Sequence, residues 1–198
     1  MATLGKKIGE IVIYRDGKER VIKPHSDYVV RISFNKDASL IASASKNGRN
    51  IYVCDTKTGV QKFQFRRGSE EVDIYSISFS SQDSKLLCVN SDKGTSHIWK
   101  LEEGKGTTSM LSGLTGWGAS LLPKVVDDHL KNVWSDIKFA FPTDEPIFHC
   151  FVNDKQKDVI VCICLRGDYF CYSMNTSSDG SGSVTQTVYS SFGIEKCY

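Results

Sequence analysis

Arg66 and Arg67 stand side by side in Phe65-Arg66-Arg67-Gly68, at the end of a strand-like segment. Arginine offers a planar fork of donors that matches pairs of phosphate oxygens. Successive side chains of a strand point to opposite faces, so this pair is set to serve two pockets rather than one. The neighbourhood is basic. From residue 46 to 67 the chain carries Lys46, Arg49, Lys57, Lys62, Arg66 and Arg67 against Asp55 alone, a local excess of +5 within a net charge of +2. The rest is therefore net negative by three. Bulk charge this small does not predict a nucleic-acid partner; the attraction for anions is local.

Other chemistries find little support. The chain has seven cysteines, an odd number, and no CxxC, which disfavours both a secreted disulfide framework and a zinc site. Reduced cytosolic thiols fit best. Cys162 and Cys164 share one face of the apolar run 159–165, and with His149, Cys150 and Cys171 they read as buried small hydrophobes rather than metal ligands. No metal or cofactor is expected. There is no P-loop, GxSxG or HExxH, Gly113 to Gly118 lacks the spacing of a dinucleotide fingerprint, and Asp127-Asp128-His129 reads as an exposed turn. The expectation is a protein without catalytic activity. The longest apolar run is seven residues, too short for a signal-peptide core or a spanning helix.

The elements that must position the arginines repeat. Ile32-Ser33-Phe34 recurs 45 residues later as Ile77-Ser78-Phe79. Each copy continues through a polar turn, an apolar strand, a glycine turn (Gly48, Gly94) and a further strand. A divergent third copy opens at Ile137-Lys138-Phe139 and passes through 159–165, Gly167 and 169–172. Short strands at this period predict an all-β chain of four-stranded propeller blades, with a generic antiparallel sandwich as the competing architecture. Ahead of the first full copy, 9–15 and 19–23 form a strand pair joined at Asp16-Gly17, a strong hairpin signal. The chain thus reads as one domain, 1–198, holding about three and a half blades: 1–24, 25–68, 69–136 and 137–198. That is too few to close a ring, so open edges are expected to associate with a second copy or another propeller part. Asn175 to Gly182 reads as a flexible loop, with a last outer strand over 184–192.

Phe65-Arg66-Arg67-Gly68-Ser69, then 74–79, then Ser91-Asp92-Lys93-Gly94-Thr95-Ser96-His97-Ile98-Trp99 resemble the PROPPINs, seven-bladed WD-repeat-like propellers that bind phosphoinositides in autophagy. Leu122-Pro123-Lys124 and Val133-Trp134-Ser135 continue the likeness, which covers the family's C-terminal blades. The resemblance implies two lipid sites on a cytoplasmic protein peripheral to autophagic, endosomal or vacuolar membranes. Its ligand would be phosphatidylinositol 3-phosphate or the 3,5-bisphosphate, and autophagy proteins would be its partners. For the second site the family pattern falls on Arg67, Gly68, Ser91, Thr95 and His97, with Lys93 as an extra cation. For the first it falls on His25, Ser43, Ser45, Gly48 and Arg66. Here the chain departs, with Arg49 and Tyr52 where members carry a threonine and a second arginine. Arg49 offers a displaced cation, Tyr52 does not replace a guanidinium, and His25 equally fits the histidine that begins a WD-repeat blade. The competing function is a protein-protein scaffold whose lipid binding is weakened or lost.

A long insertion, about 101–120 within the 69–136 blade, separates Trp99 from Trp134. Met110, Leu114 and Trp117 fall at helical steps, with Leu111 beside them, but Gly113, Gly116 and Gly118 each cost about 1 kcal/mol of helix stability in water. A segment apolar on one face and unstable in water orders best at a membrane interface, where tryptophan is favoured; family resemblance implies a membrane-inserting loop here as well. Replacing Met110, Leu114 and Trp117 together by serine is expected to weaken retention on liposomes while sparing soluble headgroup. Equal loss in both measurements would remove the insertion role.

Overall fold

The structure, a computed structural model, describes residues 1–102, 133–143, 145–154, 157–176 and 182–191. Met110, Leu111, Leu114 and Trp117 lie outside the described residues. Within them the chain is all-β: fifteen strands and no helix.

The strands form four antiparallel sheets in chain order. The first holds β1 (Ala2–Leu4), β2 (Ile11–Arg15) and β3 (Lys18–Ile22). The second holds β4 (Val29–Phe34), β5 (Leu40–Ser45), β6 (Asn50–Asp55) and β7 (Gln61–Arg66). The third holds β8 (Ile74–Phe79), β9 (Leu86–Ser91), β10 (Thr95–Lys100) and β11 (Ile137–Ala140). The fourth holds β12 (Ile147–Asp154), β13 (Lys157–Cys164), β14 (Asp168–Thr176) and β15 (Gly182–Ser191). The first strands of the last three sheets, β4, β8 and β12, touch in succession, as the inner strands of adjacent blades do. This is an open, partial β-propeller.

Turn chemistry accounts for much of the local order. Asp16 and Gly17 both take positive φ, 52° and 71°, as a two-residue hairpin turn requires, and β2 pairs with β3 across them. Gly48 turns β5 into β6 at φ 61°, where a Cβ would meet the Val72 carbonyl oxygen at 2.3 Å.

One expectation is corrected. Ile137 does not open the last blade: it pairs with Ile98, so β11 closes the third sheet. The insertion separates β10 from its own partner, and the next apolar segment completes the interrupted sheet before a new one starts. The expected loop after Asn175 is also narrower, since β14 reaches Thr176, which pairs with Gly182.

Three apolar layers join the four sheets. Ile11, Ile13 and Ile22 pack with Ile41 and Cys54. Phe63, Phe65, Ile51 and Val53 pack with Leu87, Val89 and Trp99. Cys88, Ile98 and Ile137 pack with Ile147, Ile160, Cys162 and Phe170. The far face of the fourth sheet is apolar and uncovered among the described residues: Phe148 is 46% exposed and its cross-strand partner Ile163 50%.

Three buried histidines supply the polar links. His25 Nε2 lies 3.0 Å from Ser43 Oγ. His97 Nδ1 lies 3.0 Å from Ser135 Oγ. His149 binds Ser76 Oγ at 2.6 Å and the Cys88 carbonyl at 3.1 Å, joining the third and fourth sheets. Burial pushes all three down to about 4 from the ordinary 6.5. The folded chain therefore holds them neutral where the unfolded chain would protonate them. Their stabilising contribution is complete above about pH 6.5 and is lost as pH falls toward 4. Thermal melts are expected to show Tm decreasing steadily across that window. An unchanged Tm from pH 6.5 to 4 would contradict their neutral burial.

Candidate functional site

Phe63 and Phe65 of β7 turn into the layer between the second and third sheets, where Phe65 stacks on Trp99 at 5.4 Å between centroids. Strand alternation then sends Gln64 and Arg66 to the opposite face and returns Arg67 toward the third sheet. Arg66 is the last residue of β7, and Arg67, one residue beyond it, turns its guanidinium onto the Gly48 and Glu70 carbonyls.

Arg67 meets a polar continuation of that apolar layer. On the third sheet Leu87, Val89 and Ser91 alternate along β9, and Thr95, His97 and Trp99 along β10, with His97 paired to Val89 and Trp99 to Leu87. Both rows face the second sheet. The layer thus grades from Phe65 on Trp99, through His97 stacked on Trp99 at 5.8 Å, to Ser91 and Thr95 at the strand ends. Arg67 is 7% exposed. Its Nε donates to the Gly48 carbonyl at 3.1 Å and an Nη to the Glu70 carbonyl at 2.9 Å, which engages two of its five N–H donors. Burial lowers the Arg67 pKa, while Asp92 and Glu70 oppose that shift. His97 is held down by burial first, then by Lys138 and Arg67 nearby, so near neutrality it enters as an uncharged imidazole. A buried guanidinium, an imidazole and two hydroxyls make a set of donors suited to an anion.

Lys93 stands at the rim, 3.9 Å from Glu70 Oε2, an exposed pair that holds it weakly. Gly68 does not take positive φ, and a Cβ there would meet nothing within 4 Å. The turn does not depend on this glycine; it leaves space beside Arg67.

The opposite face of the second sheet brings together part of the other expected set. Ser43 pairs with Tyr52, Tyr52 with Gln64 and Asn50 with Arg66, so these side chains share a face with Ser45. His25 joins them through Ser43. Tyr52 lies edge-on to His25, with centroids 4.8 Å apart at 81°. Arg66 is half-buried, and its guanidinium engages no side chain or carbonyl among the described residues. Two expected members are elsewhere. Gly48 offers its carbonyl to Arg67, and Arg49 Nη2 lies 3.3 Å from Glu71 Oε1. A cleft of about 420 Å³ at the inner ends of these sheets holds Asp27, Glu71, Asp73 and Asp92 against Lys46, the wrong balance for an anion.

Sequence reasoning missed Ser135 and Lys138, which reach His97 from across the insertion. Their one sequence signal was Val133-Trp134-Ser135. Val133 bridges Phe65 in parallel, and its carbonyl accepts from Arg66 N at 2.9 Å and Trp99 Nε1 at 3.2 Å.

Comparison with known proteins agrees with this architecture. Autophagy-related protein 18 of Komagataella pastoris is 35% identical over 107 residues, 52% of this chain and 20% of the relative. Hsv2 of Kluyveromyces marxianus superposes with a TM-score of 0.74 at 18% identity, covering 98% of this chain and 56% of that one. KlAtg21, solved in complex with the coiled-coil of AgAtg16, gives a TM-score of 0.65 at 20% identity, covering 96% of this chain and 53% of the other. The chain thus spans little more than half of the solved propellers that it matches, and these structural likenesses speak for the fold alone. The PROPPIN family model matches residues 3–187. With nearly its whole length in that match and its sheets arranged as propeller blades, the chain belongs to the PROPPIN family.

Proposed function

We propose that this chain binds phosphoinositides at a membrane surface as an effector of autophagy or trafficking, taking phosphatidylinositol 3-phosphate or the 3,5-bisphosphate. One observation supports the reading: the buried Arg67 lies close enough to His97 for its charge to help hold the imidazole neutral, and strand alternation sets Ser91 and Thr95 on the same face as His97. Arg67 would grip a phosphate with its remaining donors, the hydroxyls would orient the ring, and Lys93 would add charge at the rim. No catalytic step enters this reading. Among the described residues no helix is long and apolar enough to cross a membrane, so contact with the bilayer would be peripheral.

Magnitudes favour a combined attachment. Each charge-assisted hydrogen bond contributes on the order of 1.5–3 kcal/mol before ordering costs, so one headgroup site alone would hold the protein weakly. Anionic lipids would add about 1 kcal/mol per well-placed basic residue, which suits the 46–67 segment. A second contact with the same bilayer becomes effectively intramolecular and raises avidity. Met110, Leu111, Leu114 and Trp117 are the proposed inserting residues. Association through open edges, with a second copy or another propeller part, belongs to the same proposal.

A second reading rests on the packing of Tyr52 against His25 in the first site. With that space taken by a ring, the chain would serve as a scaffold for protein partners; KlAtg21 is itself solved in complex with a coiled-coil. Co-sedimentation with liposomes with and without phosphatidylinositol 3-phosphate separates the two. Lipid-dependent binding is expected, lost when Arg66 and Arg67 are both replaced by threonine, with Arg67→Thr alone causing most of the loss, about tenfold or more. Arg67→Lys, which keeps charge but removes the fork, should restore binding only in part. Binding indifferent to the lipid and to both arginines would favour the scaffold.

A further inference from the structure

We propose that Trp134 is a fixed membrane-interface anchor set beside the two arginine sites; the inference rests on the lipid reading above and extends it to a residue outside the headgroup set. Trp134 is 59% exposed, whereas Trp99 is fully buried. Its exposure is imposed by the backbone. Residues 133–136 alternate half-buried and exposed, with Val133 packed against the layer around Phe65 and Ser135 turned to His97. An extended chain with its odd residues turned inward must send residue 134 outward.

The segment is also held on both sides. The Val133 carbonyl, part of the peptide that leads into Trp134, accepts from Arg66 N and Trp99 Nε1. Beyond it, Ser135 shares a hydrogen bond with His97, and Asp136 N donates to the Ile98 carbonyl at 2.8 Å. The indole is thus an outward side chain on a segment clamped just ahead of β11, one peptide from Arg66 and one residue from the partner of His97. Exposing so large an apolar ring on a rigid segment is unfavourable in water. At a bilayer surface the same ring is at home: its apolar body enters the acyl boundary while its N–H stays among headgroups. Charge agrees with a lipid occupant, because Arg66 is joined through its backbone to Val133 and the exposed Lys138 pairs with His97, the hydrogen-bond partner of Ser135.

The test uses the full chain carrying Trp117→Phe, so that with Trp99 enclosed the lipid-sensitive fluorescence comes from Trp134. Vesicles of phosphatidylcholine and phosphatidylserine are prepared with and without phosphatidylinositol 3-phosphate, and with bromine placed shallow or deep on the acyl chains. The expected result is a blue-shifted emission quenched most by shallow bromine, and only with the phosphoinositide present. Trp134→Ala should lower vesicle affinity about tenfold, the loss of a partly inserted indole, and leave soluble inositol 1,3-bisphosphate binding and Tm unchanged. Trp134→Phe should recover most of the affinity. Headgroup and vesicle binding that proceed with no quenching and no effect of Trp134→Ala would overturn the anchor alone. Phosphoinositide-dependent quenching without soluble headgroup binding would support the anchor and count against the headgroup site. Absence of both headgroup and vesicle binding would remove the lipid reading and the anchor together.

Discussion

Phe65 lies flat on Trp99 and is wholly enclosed, so β7 has no freedom to slip by one residue without turning a phenylalanine out to solvent. Phe63 enforces the same phase two residues earlier. Because Arg66 follows directly, its direction is inherited from this packing, while Arg67, just past the strand, is fixed by the Gly48 and Glu70 carbonyls. The cost of a slip would be the burial energy of two aromatic rings, several kcal/mol, far above any preference an exposed cation has for one face. The face on which Arg66 leaves β7 is therefore as secure as the hydrophobic layer that precedes it.

The same layer explains how charge survives near the interior. Arg67 sits where apolar packing gives way to turns, and unpaired turn carbonyls from Gly48 and Glu70 replace the water it has lost. His97 answers the same pressure differently, by remaining uncharged. One site thus holds a permanent cation and a neutral donor or acceptor, an asymmetry produced by enclosure and by the positive neighbours Lys138 and Arg67.

Much of this was legible from residues alone, for identifiable reasons. Ile-Ser-Phe repeats because each copy is an inner strand facing the same packed environment, and β4 and β8 occupy equivalent places. Asp16-Gly17 declared its hairpin because few other pairs tolerate two positive φ values in succession. The Arg67, Ser91, Thr95 and His97 grouping came from the family resemblance, and alternation along β9 and β10 is what sets Ser91, Thr95 and His97 on one face of the third sheet. What escaped was pairing across distance. Ile137 resembled the start of a blade locally, and only its register with Ile98 reveals it as an outer strand. Gly48 and Arg49 lie in a turn, where alternation ceases to predict direction, and both give backbone carbonyls to Arg67 while the Arg49 side chain pairs with Glu71.

The cysteines of the described sheets have a consequence for how the blades can be watched coming apart. Cys54 is enclosed between the first and second sheets, and burial pushes its thiol up to about 11. Cys88 and Cys162 are enclosed between the third and fourth, both pushed up further by burial. The layer around Phe65 contains none. A thiol so protonated and shielded reacts with an alkylating reagent only when its flanking sheets separate. Labelling rates at Cys54 and at the Cys88–Cys162 pair would then time the opening of the two outer seams independently, while the central seam stays chemically silent.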